Sequence, residues 1–154
     1  MRRRKLEVQS FMNNLEAALT AFWGSFTNPE KPSVKIPAYT GHVAEHDDMG
    51  RRVRPAFPYI TYELTRPAYG GGTAMRASVW DRREAATGFR GLTNNILEQI
   101  AQRVPEGGLL LSFDGGSVWI RRALNFTQYP AKPDPDDPLI VRALVSLEMQ
   151  GYVF

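Results

Sequence analysis

Hydrophobic positions recur every three or four residues over the first part of the chain. Val8, Phe11, Met12, Leu15, Ala18, Leu19, Phe22, Trp23 and Phe26 fall on one wide face, while Glu7, Gln9, Asn13, Asn14 and Glu16 take the others. This period predicts an amphipathic helix of about five turns. Gly24 weakens its last turn and Asn28-Pro29 stops it. A stripe this apolar and aromatic is read as core, packed on a sheet or on another subunit.

The period then changes. Tyr59–Leu64 is rich in β-branched and aromatic residues and predicts a strand. Thr73–Asp81 alternates, with Met75, Ala77 and Val79 on one side, Arg76 and Ser78 on the other and Trp80 near the end. Glycines 70–72 lie between the two runs and predict an antiparallel pair. Phe89, Leu92, Ile96 and Ile100, helped by Leu97 and Val104, make a second helical stripe over 88–104, ended by Pro105, Gly107 and Gly108.

The last fifty residues read as hairpin, loop and strand. LLLSFD and SVWIRRALNF turn at Asp114-Gly115-Gly116, AKPDPDDP is a loop, and LIVRALVSLEMQGYVF closes the chain. In that final strand Leu139, Val141, Ala143, Val145, Leu147 and Met149 share one face. Arg142, Ser146, Glu148 and Gln150 take the other, interrupted by Ile140 and Leu144. A half-apolar outer face meets either another subunit or a covering helix, and the pattern does not choose between them.

From Pro29 to Pro58 proline and glycine break every period. Ser33–Ile36 is a short strand candidate, and 37–58 reads as a long loop of the kind that is functional or ordered against a partner. The predicted order is α-β-β-β-α-β-β-β. It implies an α+β fold: a single domain over 1–154, one mainly antiparallel sheet, two amphipathic helices on one face and a long loop insertion.

Composition adds bounds. Hydrophobic content is 43% and charged content 23%, ordinary for a globular chain of 154 residues. No apolar run approaches the ~18–20 residues of a membrane span. The start, MRRRKLEVQSF, has a basic segment without the apolar run of a secretory signal. The absence of cysteine excludes disulfides and thiolate metal sites. Net charge is +3, with one basic cluster at Arg2, Arg3, Arg4 and Lys5 and another at Arg51, Arg52 and Arg54. Such clusters can touch phosphate, but no recognition helix or aromatic RNA-binding signature accompanies them, and solvated charge is the plainer reading.

Few residues suggest chemistry. His42-Val43-Ala44-Glu45-His46 matches the inverted zincin pattern H-x-x-E-H. That pattern needs a helix to present both histidines and a third ligand from elsewhere. Here it lies in a proline-broken stretch with no marked third ligand, so His42 and His46 are only weak metal candidates. Tyr69 and the glycines after it could form an anion nest, but the lysine and hydroxyl of a P-loop are missing. Asp134, Asp136 and Asp137 alternate with prolines that break calcium-loop spacing, and suit docking on a basic partner or a plain solvated turn. Neither a Ser-His-Asp arrangement nor a placed carboxylate pair is suggested, so the chain does not read as an enzyme and calls for no cofactor.

The stretch from Pro58 onward resembles the tail terminator family of long-tailed bacteriophages, which includes proteins labelled minor tail or minor capsid proteins. FPYITYEL, then VWDRREAATGFRGLTNNILEQIAQRVPEGG, then GGSVWIRRALNFTQYP and DDPLIVRALVSLEMQGYVF carry the resemblance. These are patterns of strands and turns without an active-site signature, and the 37–58 insertion has no place in the family pattern. The resemblance implies a structural virion protein, assembled in the host cytoplasm, that forms a hexameric ring on the finished tail tube. The ring stops tube polymerisation and joins the tail to the head through neck proteins. The implied partners are further copies of the chain, the tube protein and a head-closure protein, with DNA passing through the lumen and no membrane. On this reading Arg51, Arg52, Arg54, Tyr69, Asp134, Asp136, Asp137, Ile140, Arg142 and Leu144 are the interface candidates. The rival readings are another neck adaptor, a tail tube subunit, or a metal-binding domain using His42 and His46.

Overall fold

The computed structural model describes residues 2–41, 49, 56–65, 73–82, 92–133 and 139–153. Helix α1 spans Arg2–Trp23 and helix α2 Leu92–Arg103. The strands are β1 Thr27–Asn28, β2 Lys31–Lys35, β3 Ala38–Thr40, β4 Tyr59–Thr65 and β5 Thr73–Arg82. After α2 come β6 Leu109–Phe113, β7 Gly116–Pro133 and β8 Ile140–Val153. Six strands form one sheet in the order β3-β4-β5-β8-β7-β6, and β1 with β2 forms a separate pair. Every pairing in the large sheet is antiparallel except β3 with β4. The result is an α+β domain with two helices against a mainly antiparallel sheet.

Alternation selects the covered face. Ile60 on β4, Met75, Ala77 and Val79 on β5, and Ala143, Val145, Leu147 and Met149 on β8 are all buried. Val118 and Ile120 continue that layer on β7. Leu15, Leu19, Phe22 and Trp23 from α1 and Ile96, Leu97 and Ile100 from α2 pack against it, with Phe26 and Val104 from just beyond the helices. Each such large side chain contributes about 1.5–3 kcal/mol when removed from water. Trp23 has no exposed surface; its ring stacks on Tyr62 with centroids 5.5 Å apart, and its Nε1 points at the Met75 sulfur 3.4 Å away.

Polar clamps hold the helices in place. The Arg122 side chain, reaching from β7, donates from Nε to the Val104 carbonyl at 2.7 Å and from Nη2 to the Ala101 carbonyl at 2.6 Å. Both acceptors belong to the end of α2, where carbonyls lack helical partners and a cation is favoured. Gln99 fixes β1 to α2: its amide donates to the Thr27 carbonyl at 2.8 Å, and its Oε1 accepts from the Thr27 backbone N–H at 3.2 Å. After α2 the chain turns through Gly108 at φ +86°. A Cβ there would lie 2.7 Å from the Trp119 Nε1 and 2.9 Å from the Ile120 carbonyl oxygen, so only glycine fits.

Four expectations are corrected. The 37–58 stretch is not wholly loop, because Ala38–Thr40 forms an edge strand beside Ile60–Tyr62. A three-residue strand between Pro37 and Gly41 is too short to show a period. The two-residue β1 adds a further strand to the predicted order. The AKPDPDDP segment does not begin as loop, since β7 runs on to Pro133 opposite Val141. The hairpin turn is Asp114-Gly115 alone, with Gly115 at φ +86° and Gly116 already paired with Phe113.

Candidate functional site

The alternate residues of β4, β5 and β8 form the other face, and no helix among the described residues covers it. Strand register lines them up in three rungs. Tyr59, Trp80 and Arg142 make one; Thr61, Ser78 and Leu144 the next; Glu63, Arg76 and Ser146 the third. Above the rungs lies an open cavity of about 460 Å³, which Gly41 also lines.

The first rung is aromatic and tightly arranged. Tyr59 stacks on Trp80 at 6.0 Å with planes 15° apart, while Phe57 and Tyr39 add contacts to Tyr59 at 5.4 and 6.2 Å. Trp80 Nε1 donates to Thr61 Oγ1 at 2.9 Å. The Arg142 guanidinium lies 5.1 Å from the Trp80 ring centroid, and its Nε donates to Ser78 Oγ at 2.9 Å. The stack and the hydrogen bond hold the guanidinium plane in one orientation over an aromatic base. Its terminal nitrogens are not used by those contacts, so they suit a carboxylate or carbonyl offered by a partner.

The cavity lining carries two arginines against one carboxylate, Glu63, with serine and threonine hydroxyls between them. This is a surface of mixed polar and apolar character. Among the described residues no group of three or more His, Asp or Glu side chains could hold a metal.

Of the interface candidates read from sequence, three are described. Arg142 is exposed and Leu144 half-buried on the open face, as the alternation predicts. Ile140 shares their side of the strand but is only 2% exposed, so its side chain is packed within this chain and is not offered to a partner. His42, His46, Arg51, Arg52, Arg54, Tyr69, Asp134, Asp136 and Asp137 lie outside the described residues. Sequence reading missed Tyr59 as the neighbour of Trp80, and Tyr39 and Phe57 as neighbours of Tyr59. The signal was present as aromatic residues at alternating strand positions, but only the register joins them.

Among the described residues no helix is long and apolar enough to cross a membrane. No protein-family model matches the chain, and a comparison with curated proteins finds no match.

Proposed function

We propose that this chain is a structural assembly protein of the tail terminator type, working as a ring that caps a phage tail tube and joins it to the neck. The observation that supports this best is the division of the sheet. Both helices are committed to one face, and two strands of the other, β5 and β8, present Arg76, Arg142 and Leu144 to solvent. A face that is ordered, half-apolar and uncovered suits contact with another protein better than it suits water alone. The element order and the motifs from Pro58 onward add the resemblance already described. The action on this reading is steric. One surface mates with the last ring of the tube, and the opposite surface accepts the head-closure protein and no further tube subunit.

Electron microscopy of the purified full chain at high concentration tests this. Single rings of one height are expected. Long stacked tubes would make it a tube subunit instead. A chain that remains monomeric both alone and with isolated tail tubes would sink the ring reading.

A further inference from the structure

Arg142 stands on the open face as a cation with part of its guanidinium already engaged. One side lies against the Trp80 ring, and Nε donates to Ser78 Oγ at 2.9 Å. Ser78 is only 5% exposed, so that bond is sheltered from water. Trp80 is itself held, by its stack on Tyr59 and by the bond from Nε1 to Thr61. What remains of Arg142 is its terminal edge of two nitrogens, in a residue that lines the cavity of about 460 Å³.

The surroundings narrow what that edge can take. Among the described lining residues Glu63 is the only carboxylate, and strand register sets it directly opposite Arg76. That end of the cavity therefore carries both signs. Arg142, two rungs away, faces no counter-charge among the described lining residues. Glu148, further along β8, is paired with Arg121 at 3.6 Å. Leu144 and the Trp80 ring add apolar surface to the lining. A polyanion such as a nucleic-acid backbone would bring negative charge against Glu63. A single planar anion, taken end-on by the two terminal nitrogens, matches the guanidinium fork.

We propose that Arg142 anchors one carboxylate of a partner protein, an exposed aspartate or glutamate flanked by apolar residues that rest on Leu144 and Trp80. The proposal rests on the reading of the open face as a surface for protein contact, and it names the chemistry of that partner. Ordering of the guanidinium by Trp80 and Ser78 before binding lowers the rotamer entropy lost on contact. A lysine in its place keeps the charge and loses the planar fork.

Nuclear magnetic resonance of the isotope-labelled full chain tests this. The site carries two reporters, the Trp80 Nε1–H and the Arg142 Nε–H, each bonded at the cavity. The indole N–H of the enclosed Trp23 is the reference. The probe is the capped peptide acetyl-Leu-Gly-Glu-Gly-Leu-amide at millimolar concentration. It is expected to shift both reporters saturably and leave Trp23 unmoved. The same peptide with glutamine for glutamate is expected to bind about tenfold more weakly, because a charged acceptor strengthens the bond. Arg142→Lys is expected to weaken the glutamate peptide about fivefold or more. Arg121→Gln removes a charge outside the cavity lining and is expected to change binding less than about twofold, since exposed distant charges are screened. Circular dichroism checks that both variants are folded, and the comparison of the two peptides needs no variant. No saturable shift of the reporters, equal binding of the glutamine peptide, or unchanged affinity in folded Arg142→Lys would overturn the proposal. Inorganic phosphate binding more tightly than the glutamate peptide would overturn it in favour of a phosphate site. Peptide binding at Arg142 in a chain that never forms rings would uphold this site and sink the tail reading alone. Rings from a chain whose reporters ignore the glutamate peptide would sink this site alone.

Discussion

The two faces of the central sheet are made by alternate residues of the same strands, yet they are finished differently. On one, Met75, Ala77, Val79, Ala143, Val145 and Leu147 disappear under two helices. On the other, Arg76, Ser78, Trp80, Arg142, Leu144 and Ser146 line an open cavity. The covered face has apolar contact throughout, whereas the open face is held by directed contacts: an indole N–H on a threonine, a guanidinium on a serine and an indole ring. The first pattern makes a fold stable. The second keeps a surface in one shape at little gain in stability, which suits recognition.

The tryptophans test that division most strongly. Trp23 is fully enclosed by Phe22, Phe26, Tyr62 and Met75. Trp23→Ala is expected to destabilise the chain by about 3–5 kcal/mol in urea unfolding, because it empties a large volume in a closed core. Trp80→Phe keeps a ring beside Tyr59 and loses the donor to Thr61; it should cost no more than about 1.5 kcal/mol. Equal losses would mean that the open face is as much a core as the covered one.

Much of the covered face was legible in sequence because it obeys two simple periods. Leu15, Leu19, Phe22 and Trp23 mark α1, Ile96 and Ile100 mark α2, and the alternation from Val141 to Met149 marks β8. What escaped depends on register between distant strands or on single contacts. Tyr39 reaches Tyr59 only because β3 lies parallel to β4. The irregularity of β7 was also hidden: between Arg122 and Thr127 its partner β8 advances only from Leu147 to Val145. That bulge leaves Leu124 fully exposed while Phe126 packs on the core edge. The open face itself was foreshadowed by Arg142 and Leu144, but its aromatic rung was not.

Two contacts at the end of α2 sharpen the comparison at intermediate size. Gly108→Ala places a Cβ against the Trp119 indole and the Ile120 carbonyl in a backbone conformation that L side chains rarely adopt. A loss of about 1–3 kcal/mol is expected, read from the unfolding midpoint. Arg122→Met keeps most of the stem packed beside Phe126 but leaves the Ala101 and Val104 carbonyls without their charged donor. It should cost about 1.5–3 kcal/mol, with hydrogen exchange accelerating first at the α2–β6 turn. Wild-type exchange there would show that the helix end is held by apolar contact alone.

The smallest effect on stability should accompany the largest effect on assembly. Arg142 is exposed, with one hydrogen bond to Ser78 and one ring contact with Trp80. Arg142→Ala should lower unfolding free energy by about 1 kcal/mol or less, since an exposed cation–π contact is worth ~0.5–1 kcal/mol. Arg142→Glu goes further, reversing the charge beside Leu144 and turning a guanidinium that could hold a partner carboxylate into a group that repels it. If the open face is where this protein meets another, Arg142→Glu keeps near-normal circular dichroism and urea midpoint but loses the ring or the tube contact seen by electron microscopy. If assembly persists with the charge reversed, the partner lies elsewhere. The sheet edges would then carry assembly, and the aromatic rung would serve only to keep β4, β5 and β8 in register.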